Sequence, residues 1–317
     1  MGIVKMKFGS HLYGLNTPES DIDYKGIFMP SARELLLGKY PKSISSSTGN
    51  QNSKNGPGDV DREDYALPYF VKLAVDGETV AIDMLHCNEP LISTPEWEFL
   101  VENRRKFYSK DMKAFIGYVK RQAAKYGIKG SRINDISKVL DFLQERDKNR
   151  FGDSYDVKLK DIWDELPSGK FISKVTKDDR RFYVVNSKMY QDTLTTGQLR
   201  PALAKVLKGY GDRAHLAAQN KGVDWKAMSH ALRAGYQCRD IFTKGDFAYP
   251  LRETEFLLAV KQGRLDFSTE VAPALEEIVD EVEALAVASN LPKSVDVKFW
   301  DDWLVSVYLN NWPYTNL

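Results

Sequence analysis

Cysteine is scarce: Cys87 and Cys238 are the only two among 317 residues. Without a dense cysteine framework the chain is not a disulfide-stapled module, and without paired CxxC repeats it carries no zinc-finger pattern. No apolar run approaches the roughly 20 residues that cross a bilayer, and nothing like a secretory leader precedes residue 10, so a cytoplasmic protein is expected with no membrane partner. Net charge is small too, +1 from 45 Lys plus Arg against 44 Asp plus Glu, which excludes a polycation that holds nucleic acid by bulk charge. No internal repeat is visible. What is present is 43% hydrophobic and 12% aromatic residues, enough to bury a sizeable core.

Alternation of apolar and polar residues predicts strands at Ile3–Phe8, at 21–29 and at 78–87. A short helix capped by Ser31 is expected through Leu37, a mobile loop over the Ser-, Asn- and Gly-rich 42–59, and a helix from Asp64 to Val75. From about residue 109 the apolar spacing turns helical, as at Met112, Phe115 and Val119. FISKVTKDDRRFYVV (171–185) reads as a β-hairpin turning at Lys177–Asp179. The expected fold is α+β: a small mixed-sheet, palm-like domain over 1–105, then a larger, mostly helical domain over 106–317 with a hairpin insertion near 170–190.

Charge is uneven along the chain. Residues 104–150 hold 14 Lys or Arg against 5 Asp or Glu, a local +9, while residues 251–290 hold 3 against 9, a local −6. The basic stretch reads either as a solvated helix surface or as a phosphate-binding face.

The chemistry concentrates in FGSHLYGLNTPESDIDYKGIF (8–28). Asp21 and Asp23 stand two apart on an expected strand, so they project together and offer hard oxygens suited to Mg²⁺. Gly9-Ser10, at the end of the preceding strand, offers backbone N–H groups and a hydroxyl for a nucleotide's terminal phosphate. A two-metal site needs a third carboxylate. Asp83, among apolar neighbours in TVAIDMLHC, is the residue expected to supply it, since a buried Asp is costly unless paired or metal-bound.

At these residues the chain resembles the DNA polymerase β-like nucleotidyltransferase superfamily, whose signature is a Gly-Ser turn, a spacer, an Asp-x-Asp strand and a third Asp on a neighbouring strand. The longer string GSHLYGLNTPESDIDYKGIF, with DWKAMSHALRAGYQCRDIFTKGDFAYPL (224–251), is most similar to the RNA repair pathway DNA polymerase β family. That resemblance implies metal-dependent transfer of a nucleoside monophosphate from an NTP to an acceptor hydroxyl, an RNA end foremost, with release of pyrophosphate. It implies two Mg²⁺ ions, Mn²⁺ being an alternative, held by Asp21, Asp23 and Asp83. A protein-nucleotidylating (AMPylating) antitoxin-like enzyme acting on a protein acceptor, and a non-catalytic nucleotide- or RNA-binding module of the same fold, are the alternatives.

Lys226, His230, Arg233 and Gln237 fall on one stripe of an expected helix opposite Met228, Ala231 and Leu232. The stripe is either the wet side of an amphipathic helix or a face turned toward the triphosphate, with Lys226, His230 and Arg233 as nucleotide contacts. His86 and His215 lack ligand-spaced partners, and Trp300, Trp303 and Trp312 read as packing groups of a terminal helix.

Overall fold

A computed structural model describes residues 2–49, 59–110, 112–126, 130–148, 157–186, 188–208, 216–217 and 219–311. Side chains at 113, 114, 122–126, 130–132, 147 and 148 are excepted. The chain opens with β1 (Gly2–Phe8), α1 (Ser10–Tyr13), β2 (Ile22–Phe28), α2 (Ala32–Leu36), β3 (Ser43–Ser47) and β4 (Val60–Ala66). Helices α3 (Leu67–Val75), α4 (Thr79–Met84), α5 (Pro95–Glu102), α6 (Lys113–Tyr126) and α7 (Gly130–Lys148) follow. Then come β5 (Ile172–Lys177), β6 (Arg180–Val185), β7 (Lys188–Gln191) and α8 (Thr196–Lys208). The last described elements are α9 (Trp225–Lys244), α10 (Thr254–Lys261), α11 (Ala272–Ala288) and α12 (Val297–Asn311). The architecture is α+β, and no described helix is long and apolar enough to cross a membrane.

Two compact units divide the chain: Met1–Lys120 with Ser229–Ala259 and Ile278–Leu317, and Arg121–Met228 with Val260–Glu277. The contiguous boundary expected at residue 105 therefore differs from the observed division, because later helical segments return to the first unit.

The first unit holds a mixed four-stranded sheet in the order β1-β2-β4-β3. β2 runs antiparallel to β1 and parallel to β4, and β3 closes the edge antiparallel to β4. Its core is aromatic: Trp97 packs near Phe70, and Trp300 stacks on Phe107 at 3.8 Å. Trp303 stacks on Phe99, so the two described tryptophans of the last helix are packing groups, and Trp312 lies outside the described residues. In the second unit the antiparallel sheet β5-β6-β7 buries Ile172, Tyr183 and Val185 against Ile136, Val139 and Leu199. Its hairpin turns at Asp178 and Asp179, both with positive φ, where short polar side chains tolerate the left-handed region.

Ser31 caps α2 through a reciprocal capping box with Glu34. Three expectations are corrected. The segment around 78–87 is helical at Thr79–Met84, not a strand: a short apolar run carries no period that separates the two, and this one buries Ala81, Ile82, Asp83 and Met84 together. Asp64–Ala66 belong to β4, so the next helix begins at Leu67, with Pro68 in its first turn. Within the 42–59 tract, Ser43–Ser47 forms β3, while residues 50–58 lie outside the described residues.

Candidate metal centre

Register assembles the centre. Phe8 pairs with Asp23 across β1 and β2, which brings the Gly9-Ser10 turn beside the Asp-x-Asp segment. Asp23 in turn pairs directly with Asp61 across the parallel β2–β4 ladder. In-register partners point to one face, and Asp21 precedes Asp23 by two residues in extended chain, so three carboxylates converge. One oxygen from each of Asp21, Asp23 and Asp61 lies within 4.8 Å of the others, and all three residues are half-buried. Such a set of hard oxygens fits Mg²⁺ or Mn²⁺.

The turn that leads in is glycine-dependent. Gly9 has φ 60° and ψ −137°, and a Cβ there would overlap Oδ2 of Asp23. The loop ahead of Asp21 is closed by Ser20, whose hydroxyl accepts from the Thr17 N–H at 2.9 Å.

Beside the carboxylates lies a cavity of about 520 Å³, lined by Asp23, Lys25, Ser45, Ser47, Asp61 and Glu63 among others. Lys25 Nζ sits 2.5 Å from Glu63 Oε2, and the Tyr65 hydroxyl donates to the same oxygen at 2.6 Å. Burial works against ionising Glu63, but the hydrogen bonds from Lys25 and Tyr65 outweigh it and hold the carboxyl below its ordinary range.

Asp83 is not part of this cluster, which corrects its expected role as third metal ligand. It is 1% exposed on α4, and its two oxygens accept from Tyr13 (2.9 Å), Arg233 (2.8 Å), Gln237 (2.7 Å) and Tyr249 (2.7 Å). Four donors saturate the carboxylate. Arg233 is 4% exposed and also lies over the Tyr13 ring at 3.7 Å. Burial alone would weaken its charge, yet the adjacent Asp83 carboxylate raises its pKa well above the ordinary value. Burial also pushes the Tyr13 and Tyr249 hydroxyls well up, which keeps them donors. This network anchors α1, the helix that carries Ser10, to α4 and to α9.

The expected stripe therefore separates. Arg233 and Gln237 are spent on Asp83, so they are unavailable as nucleotide contacts. His230 is half-buried with its ring 6.4 Å from that of Tyr13. Lys226 is exposed and belongs to the second unit. His86 is buried: Nδ1 donates to the Ile82 carbonyl at 2.7 Å, and Nε2 lies 3.0 Å from Asp246. His215 lies outside the described residues.

Asp61 is the functional candidate that sequence reading missed. Its place follows from strand pairing: in VDREDYA, Asp61, Glu63 and Tyr65 share one side of β4 and Val60, Arg62 and Asp64 the other.

The chain is 43% identical over 328 residues, covering 98% of this chain and 97% of the relative, to a protein of Enterobacteria phage T4 described as "Uncharacterized 38.9 kDa protein in nrdC-mobD intergenic region". It belongs to the family of that phage protein. No family model and no solved structure matches the chain.

Proposed function

We propose that this family member is a metal-dependent nucleotidyltransferase that moves a nucleoside monophosphate from an NTP to an acceptor hydroxyl, with an RNA end as the acceptor. The observation that carries the reading is the convergence of Asp21, Asp23 and Asp61 across two paired strands, next to the Gly9-Ser10 turn. Two aligned carboxylates are common on protein surfaces; a third in register, beside a glycine turn on the neighbouring strand, is a combination that binding alone does not require.

Asp21, Asp23 and Asp61 would together hold divalent ions, whose charge would offset that of the triphosphate and acidify the acceptor hydroxyl. Asp61 receives the proton that this hydroxyl gives up. The acceptor oxygen forms a bond to the α-phosphorus as the bond to pyrophosphate breaks, and the Ser10 hydroxyl and backbone N–H hold the departing phosphates. Lys226, His230 and Arg233 have no part in this scheme.

The test is incubation with each α-labelled NTP, Mg²⁺ or Mn²⁺, and RNA, DNA, protein or no added acceptor. Label is expected on RNA, and its loss is expected in Asp21→Asn, Asp23→Asn and Asp61→Asn. Label on protein would favour the AMPylating alternative. Retention of transfer by both Asp21→Asn and Asp23→Asn would remove the mechanism.

A further inference from the structure

The floor beside the carboxylates is a grid. Because β4 pairs in register with β2 on one side and β3 on the other, residues on the common face fall into cross-strand rows: Asp23, Asp61 and Ser47, then Lys25, Glu63 and Ser45. All six line the cavity of about 520 Å³. The first row contributes two of the three candidate cation ligands. The second row offers different chemistry, because Lys25 and Glu63 already neutralise each other.

The edge strand keeps the floor low. Ser45 and Ser47 are exposed, and their short side chains leave the volume open while lining it with hydroxyls. An anionic group would meet Asp23, Asp61 and Glu63, while Lys25 and Arg62, which also line the cavity, are already paired with Glu63 and Asp64, so it is disfavoured there. An apolar group would cover an ion pair and hydroxyls without replacing their hydrogen bonds to water. A neutral group with adjacent hydroxyls meets every demand, since each hydroxyl donates to a carboxylate and accepts from a serine hydroxyl or from the one Lys25 N–H left after its bonds to Glu63 and Tyr65. Asp61 stands two residues from Glu63 on the same face of β4, so the second row adjoins the candidate cation ligands.

We propose that Lys25, Glu63, Ser45 and Ser47 bind the vicinal diol of the sugar that carries the acceptor hydroxyl, so that a ribose end is selected over a deoxyribose end. This rests on the nucleotidyltransferase reading and names its substrate class. Two sources supply the diol, the 3′ terminus of RNA and a free ribonucleoside.

The experiment uses the full chain with an α-labelled NTP and Mg²⁺, and with matched oligoribonucleotides ending in ribose or 2′-deoxyribose. Free adenosine and 2′-deoxyadenosine form a second pair. Binding of the two fluorescent oligonucleotides is measured in parallel by anisotropy. Transfer to the ribose end is expected to exceed that to the 2′-deoxy end by tenfold or more, because a site built to bond a hydroxyl is left with unpaired groups when it is missing. Ser47→Ala and Glu63→Gln are expected to shrink that ratio. Discrimination within the nucleoside pair, with none between the oligonucleotides, would assign the diol to the small-molecule source. Equal transfer to ribose and deoxyribose in both pairs would overturn the diol site and leave the transferase reading standing. If no transfer occurs, anisotropy decides: tighter binding of the ribose end keeps the diol site while the transferase reading falls, and equal binding overturns the site as well.

Discussion

Asp23 fills the space that a side chain on Gly9 would need: a Cβ there would lie 3.1 Å from Cγ of Asp23 and overlap its Oδ2. The backbone there has φ 60°, a region that L side chains rarely adopt. Gly9→Ala should therefore push Asp23 out of line with Asp61 and cost about 1–3 kcal/mol in backbone strain. The expected result is a weakened Mn²⁺ titration, read by calorimetry, together with a lowered melting temperature. Unaltered Mn²⁺ affinity would show that Asp23 does not depend on this turn.

Asp61 and Asp83 are predicted to part in opposite ways. Asp61→Asn removes one of three converging charges, so it should abolish divalent binding and transfer with an equal or higher melting temperature. Asp83→Asn strips the charge partner from Arg233 in a buried network, at a cost of about 3 kcal/mol or more. Denaturant titration of both variants separates the two. A stable Asp83→Asn with lost metal binding would reverse the assignment.

Much of the first unit was legible in the sequence, because β1 and β2 alternate over several residues and Ser31 announces its helix with Glu34 three positions on. β3 was not: SISSS has no apolar period and takes its strand state from pairing with β4. β4 itself is polar on both sides, so the usual inside-outside alternation is missing and Asp61 did not stand out. Asp83 did stand out, through its apolar neighbours. Those neighbours marked a buried charge correctly, but the partner was Arg233, 150 residues away, and no local pattern encodes that.

The basic segment is less available for RNA than its composition implies. Arg104 and Arg105 reach Asp246, Lys120 pairs with Glu283, Lys138 donates to the Ser168 carbonyl, and Arg146 pairs with Glu165. Arg121 is exposed, and the side chains of Lys125, Lys129 and Arg132 lie outside those described. Charge reversal at these four positions should lower RNA affinity without altering divalent-dependent NTP binding. It should also flatten the salt dependence by roughly 0.7 in slope for each phosphate that is no longer neutralised. An unchanged slope in filter binding would mark this surface as merely solvated.

Asp246 sets a pH dependence of stability. It lies against buried His86, the Tyr108 hydroxyl at 2.8 Å and Arg104 at 2.6 Å. Burial would raise its pKa, but the hydrogen bonds from His86, Arg104 and Tyr108 outweigh burial and hold the carboxyl far below the ordinary range. In the unfolded chain an aspartate protonates near pH ~4, whereas in the folded chain this one stays charged well below that. Its contribution to stability is therefore complete above pH ~4 and is lost as pH falls toward the folded value. Asp246→Asn should melt a few degrees below the parent chain at pH 7, with the gap closing as pH drops from about 4 toward 2. Paired thermal scans across that range check the sign: a gap that widens on acidification would mean that Asp246 is not held ionised by His86, Arg104, Arg105 and Tyr108.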